Sequence, residues 1–150
     1  MRVLGIDHGT VRIGVALSDP LGMLARPLET VAEPEALRRL PGLIQQHGVQ
    51  TVVLGLPLRL DGTEGPAAER VRGFLAKLRP LVPAHIPIHL RDESLTTIEA
   101  ESHLQAAGKK KGRGPHEKID QAAAAVILQE YLDEQAGSSL LMPELPEDEA

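Results

Sequence analysis

The sequence has no cysteine and no tryptophan, and its only aromatic side chains besides histidine are Phe74 and Tyr131. Disulfides and thiolate zinc sites are thereby excluded. Two aromatics do not make a platform on which a single strand stacks its bases, and the core must be aliphatic. No apolar run is long enough to span a bilayer. The start, Met1-Arg2-Val3-Leu4-Gly5-Ile6-Asp7, meets an acid too early to be a signal peptide. A cytoplasmic protein with no membrane partner is expected.

What is present fits one globular domain: 150 residues, 42% hydrophobic and 25% charged. The net charge of −5 is distributed unevenly. Residues 133–150 carry six acids and no Lys or Arg, which leaves residues 1–132 with 16 basic and 15 acidic side chains. The acidity is largely a property of the tail. The expected organisation is a folded unit over 1–134 and an acidic, Pro-containing, disordered tail over 135–150.

Val3–Asp7 reads as a strand. Val11–Leu17 reads as another, alternating Val11, Ile13, Val15 and Leu17 with Arg12, Gly14, Ala16 and Ser18. The link His8-Gly9-Thr10 makes the two an antiparallel hairpin. Leu24–Val31 is a third strand, and Pro27 suits it to a sheet edge. Pro34–His47 is a helix stopped by Gly48. Thr51–Leu56 is a buried strand, followed by a loop over Pro57–Gly65 with Asp61-Gly62; Gly55-Leu56-Pro57 with Asp61-Gly62 is a loop signature without obvious chemistry. Pro66–Leu78 is a helix and Ile86–Leu90 a short strand. Thr96 with Glu99 forms a capping box for a helix ending near Gly108. A last helix covers about Glu117–Glu134. The order implies an α/β fold with a mixed sheet, an antiparallel meander followed by parallel strands, flanked by helices.

Three acidic features stand out. Asp7 ends the first strand on the face of Val3 and Gly5, where a carboxylate is costly unless paired or ligated; as a turn aspartate it equally caps the hairpin. Asp92-Glu93 follows a strand and precedes a capped helix, a strand-to-helix turn where α/β sheets place their sites; a helix N-terminus also favours acids there. Asp120 lies one turn into the last helix, ahead of alanines that allow close packing on the sheet. Together, carboxylates without Cys suit a hard cation, Mg²⁺ or Mn²⁺, of the kind that drives phosphodiester cleavage. The run Lys109-Lys110-Lys111-Gly112-Arg113 lies just before Asp120 and reads as a phosphate clamp or a solvated loop; Arg12, Arg59 and Arg91 are weaker candidates. His8, beside Asp7, is expected on the other side of its strand. No G-x-x-x-x-G-K-[ST] loop occurs.

At these residues the chain resembles the YqgF/RuvX family, Holliday-junction-resolvase-like proteins implicated in maturing the 5′ end of pre-16S rRNA. The resemblance runs through Gly5-Ile6-Asp7-His8-Gly9-Thr10-Val11-Arg12-Ile13-Gly14-Val15-Ala16-Leu17-Ser18-Asp19, then Gly55-Leu56-Pro57, Asp61-Gly62, Asp92-Glu93, Thr96-Thr97-Ile98-Glu99-Ala100, Asp120 and Ala122-Ala123. It implies an RNase-H-like fold and a carboxylate site at Asp7, Asp92-Glu93 and Asp120, with Glu93 favoured over Asp92 as ligand. The family usually has Arg after that pair; here Ser94 stands instead.

The leading expectation is therefore a hydrolase: a divalent-metal nuclease acting on pre-rRNA within ribosome precursors. Asp7, Glu93 and Asp120 would be catalytic, and Arg12, Lys109, Lys110, Lys111 and Arg113 would bind substrate. Alternatives are a resolvase of branched DNA, for which a homodimer rather than a monomer matches a two-fold junction, and a non-catalytic RNA-binding assembly factor. An ATPase or sugar kinase of the actin-like type shares the Ile6-Asp7-His8-Gly9-Thr10 pattern, but such enzymes close two domains around a nucleotide.

Overall fold

The computed structural model describes residues 1–9, 11–94 and 116–141; side chains are described up to residue 93 and again over 122–137. Five strands form one mixed sheet in the order β3-β2-β1-β4-β5. β1 (Arg2–His8) and β2 (Ile13–Ser18) form the expected antiparallel hairpin, with Asp7 opposite Gly14 and His8 opposite Ile13. β3 (Ala25–Val31) completes the meander at the edge. Its register against β2 slips where Val15 faces Glu29 and Ala16 faces Pro27. The extra residue is Leu28, so Pro27 sits beside a bulge on an edge strand, where its missing N–H costs no ladder bond.

The chain then crosses over through α1 (Glu33–His47) to β4 (Val49–Leu58), which lies parallel to β1. Pro34 opens α1, and Gly48 closes it in the left-handed region at φ 64°. α2 (Pro66–Leu78) and a short 3₁₀ turn (Arg79–Leu81) lead to β5 (Ile88–Ser94), parallel to β4. The last described element is α3 (His116–Leu141).

Three elements end two or more residues beyond where the sequence reading places their ends. β4 runs on through Pro57 and Leu58, and β5 runs on through Asp92, Glu93 and Ser94, because the two strands keep their parallel pairing from Val52 opposite Ile88 to Leu58 opposite Ser94. Asp92-Glu93 is thus strand, not turn. α3 continues past Glu134 to Leu141: Gln135, Ala136 and Leu140-Leu141 favour helix, and Gly137 costs only about 1 kcal/mol relative to Ala. The expected helix from Thr96 and the basic run lie outside the described residues.

Each face of the sheet has its own core. Leu4, Ile6, Ile13, Val15, Val52 and Leu54 are buried with Leu40 and Ile44 of α1 and Val71, Phe74 and Leu78 of α2. On the other face Val3, Ala16 and Val53 are buried with Ala124, Ile127, Leu128 and Leu132 of α3. Among the described residues, no helix is long and apolar enough to cross a membrane.

Candidate active site

The site takes shape where α3 presses on the sheet. A Cβ on Gly5 would stand 2.7 Å from Leu128 Cβ and 3.2 Å from the Ala124 carbonyl oxygen; one on Gly55 would stand 2.6 Å from Ile127 Cδ1. Glycine at these two sheet positions therefore lets the helix lie nearly on the backbone. Hydrogen bonds tie α3 at its flanks. Gln129 accepts from the Ala25 N–H and donates to the Met23 carbonyl, both at 2.9 Å. On the β5 side, Arg91 reaches Glu130 and Glu134.

Strand alternation decides which carboxylates meet this face. Asp7, two residues past Gly5, shares its side of β1 and is half-buried. Glu93 stands on the same side of the sheet, its Cγ 3.8 Å from the Cβ position of Gly55. Asp7 and Glu93 thus occupy the carboxyl ends of β1 and β5, with β4 and its bare Gly55 between them. Asp92 points the other way: it is exposed and feels the charge of Arg72 on α2. Adjacent in sequence, the two acids are separated by the sheet.

Asp120 is helical, but its side chain lies outside the described ones. Its place along α3 follows from the packing. Ala124 and Leu128 lie over Gly5, while Leu132 and Ala136 share a groove with Met1 and Val3 at the start of β1. α3 therefore runs antiparallel to β1. Position 120 precedes Ala124 by about 6 Å of helix rise, and Asp7 lies about 7 Å beyond Gly5, so the two reach a similar level.

The electrostatics single out Glu93. It is 4% exposed, and its Oε2 accepts from Arg91 Nε at 2.7 Å. Burial and the like charge of Glu130 push its pKa up to about 7, against the opposing pull of Arg91. Burial alone would depress the Arg91 guanidinium; Glu134, Glu93 and Glu130 more than offset that and hold its pKa above the ordinary value. A buried carboxylate crowded by a second one gains most from an added cation. In this respect the donor chemistry fits a hard divalent ion. Among the described residues, no three His, Asp or Glu side chains gather closely enough to hold a metal on their own.

The other candidates fall as follows. Arg12 is in the β1–β2 turn, its carbonyl accepting from the Gly9 N–H at 2.9 Å. Lys109, Lys110, Lys111 and Arg113 lie outside the described residues. Arg91, considered from sequence for phosphate contact, has its guanidinium taken up by three carboxylates. His8 faces away from Asp7: its Nε2 is 3.0 Å from Glu33 Oε1, and its ring lies 5.1 Å from Phe74. Sequence reasoning passed over Glu130 and Glu134. Their i, i+4 spacing marks one face of a helix, but the arginine they share was not visible as their partner.

A family model described as RuvX, Holliday junction resolvase, matches residues 1–134. A relative from Streptomyces avermitilis is 47% identical over 135 residues, covering 88% of this chain and 85% of its own. Another from Geobacillus kaustophilus is 48% identical over 140 residues, covering 89% and 98%. Both bear the name "Putative pre-16S rRNA nuclease". Among solved structures, T. thermophilus RuvC in complex with a Holliday junction substrate superposes with a TM-score of 0.59 at 16% identity, over 91% of this chain and 97% of that one. That likeness concerns the fold. The family match over nearly the whole folded region places this chain in the RuvX Holliday junction resolvase family.

Proposed function

We propose that this chain is a divalent-metal-dependent nuclease that cleaves pre-16S rRNA. The observation that carries the reading is the placement of Asp7 and Glu93 on one face of the sheet, at the carboxyl ends of β1 and β5 with β4 between them, the face covered by the helix that bears Asp120. The names of relatives at 47–48% identity supply the substrate.

Asp7, Glu93 and Asp120 would hold Mg²⁺ or Mn²⁺. Bound there, the ion supplies Lewis-acid activation of water and neutralises charge on the phosphate. The chain's own residues do the positioning. β1 and β5 are fixed by their pairing with β4, so Asp7 and Glu93 keep their separation. Gly5 and Gly55 set the height of α3 and so of residue 120. Arg12, on the hairpin turn next to Asp7, and the basic residues Lys109, Lys110, Lys111 and Arg113 would neutralise phosphates of the substrate backbone. Residues 1–134, the span of the family match, would form the body of the nuclease unit, with α3 carrying on past it to Leu141 and the acids Glu144, Glu147, Asp148 and Glu149 following in the sequence.

A second reading, cleavage of branched DNA, is favoured by the RuvX family model. The test is direct. Purified protein is incubated with a pre-16S rRNA fragment and with a four-way DNA junction, in Mg²⁺ and in Mn²⁺. Faster cleavage of the RNA supports the first reading and faster cleavage of the junction the second. Cleavage of neither, with RNA binding retained, would make the protein a non-catalytic assembly factor.

A further inference from the structure

The site contains a cation of its own. Arg91 Nε donates to Glu93 Oε2 at 2.7 Å, Arg91 Nη2 lies 3.3 Å from Glu130 Oε1, and Nη1 donates to Glu134 Oε1. Glu130 and Glu134 stand one turn apart on α3, so the two terminal nitrogens grip the helix while Nε holds the strand carboxylate. The side chain of Arg91 is only 20% exposed and that of Glu93 only 5%, so the ion pair is shielded from solvent screening. A surface arginine with one acidic neighbour would mean little. Here one guanidinium joins the buried acid of the candidate site to the helix that carries Asp120.

We propose that Arg91 is the resident counter-cation of Glu93 and a positioning residue for the metal site: it holds the carboxylate in place, and its charge opposes the divalent ion that Glu93 would ligate. This rests on the metal-site reading above. Two consequences follow from the charges. Removing the guanidinium leaves Glu93, Glu130 and Glu134 uncompensated, which raises the attraction for a divalent cation. It also frees Glu93 and loosens α3 from β5, which impairs turnover. Tighter metal binding together with slower catalysis is a pattern that general damage to the fold does not produce, because damage weakens both.

The test is Mn²⁺ binding to the full chain, followed by calorimetry and by the loss of the free Mn²⁺ paramagnetic resonance signal, alongside kcat and KM for RNA cleavage. Arg91→Gln is expected to bind Mn²⁺ at least tenfold more tightly than wild type, with kcat reduced and KM little changed. Arg91→Lys keeps the charge and is expected to bind within threefold of wild type. Equal or weaker binding by Arg91→Gln, or tightening by Arg91→Lys to the same extent, overturns the inference while leaving the metal site standing. Wild-type protein that binds no Mn²⁺ overturns both the metal site and this role for Arg91. If Arg91→Gln does not fold in chelator, millimolar Mn²⁺ is expected to restore its helical circular dichroism, and failure to do so overturns the inference.

Discussion

Replacing Gly5 with alanine tests the mechanical basis of the site. The added methyl would sit 2.7 Å from Leu128 Cβ and 3.2 Å from the Ala124 carbonyl oxygen. Comfortable carbon contacts are about 3.5–4.0 Å, so α3 must rise from the sheet by about 1 Å. Neither obstacle can swing aside: one is a Cβ and the other is backbone, and Gln129 and Arg91 tie the helix at its flanks. Overpacking of this kind costs about 1–3 kcal/mol. The loss of unfolded-state freedom on Gly→Ala returns about 0.4–1 kcal/mol. A net loss of about 1–2 kcal/mol is expected, which lowers the melting temperature by about 2–8 °C for a domain of this size. Gly55→Ala provides the contrast. Its methyl would stand 2.6 Å from Ile127 Cδ1, the end of a flexible side chain, with Ile127 Cγ1 next at 3.5 Å. A rotamer change relieves that contact, so Gly55→Ala should cost less. Urea unfolding followed by circular dichroism at 222 nm reads both midpoints. Gly5→Ala should also slow cleavage more, since it lifts the turn carrying Asp120. A Gly5→Ala protein as stable as wild type, or a Gly55→Ala protein that is the worse of the two, would refute the account of how α3 is seated.

Other predictions follow from the same contacts. The folded pKa of Glu93, about 7, lies above its ordinary 4.5, so its contribution is fully present below about pH 4.5 and is lost as pH rises through about 7. Metal-free protein should lose on the order of 3 kcal/mol over that window. Glu93→Gln should remove that part of the slope; an unchanged pH profile of urea midpoints would count against it. Gln129→Ala breaks the part-buried bond to Ala25 and the exposed bond to Met23 and should cost about 0.5–1.5 kcal/mol, since water can take up the freed backbone groups, again read by urea unfolding. His8→Ala should destabilise by about 1–3 kcal/mol through the loss of its contacts with Glu33 and Phe74. It should leave Mn²⁺ affinity within twofold, because His8 lies on the far face; a tenfold loss would place it in the site.

Much of this architecture can be read from the chain because it is local. The alternation over Val11–Leu17, the short hairpin link, and the Pro34 and Gly48 signals each act within a few residues, and the β1–β2 pairing and α1 appear where they point. Asp7 and His8 fall on opposite faces because strand period forces it. The readings that shift are those that depend on a neighbour strand. Asp92-Glu93 and Pro57 look like turn residues in isolation, yet parallel pairing between β4 and β5 carries both segments on as strand. The same pairing separates Asp92 from Glu93, a choice that adjacency in sequence leaves open. Alanines after Asp120 point to close packing, but the approach of α3 depends also on Gly5, and to a lesser degree on Gly55, 50 residues apart. The Arg91 junction is the least legible feature, since it joins positions 91, 93, 130 and 134 through tertiary contact alone.

The most direct test of the central claim is Asp7→Asn, an isosteric change that removes one charge from the candidate site. Cleavage of a pre-16S rRNA fragment in Mg²⁺ or Mn²⁺ should fall by about 10³-fold or more if Asp7 is a metal ligand. Mn²⁺ binding should weaken in parallel, while the far-UV circular dichroism and the chelator-treated melting temperature stay near those of wild type. An Asp7→Asn protein that folds normally and cleaves at the wild-type rate would contradict the carboxylate site.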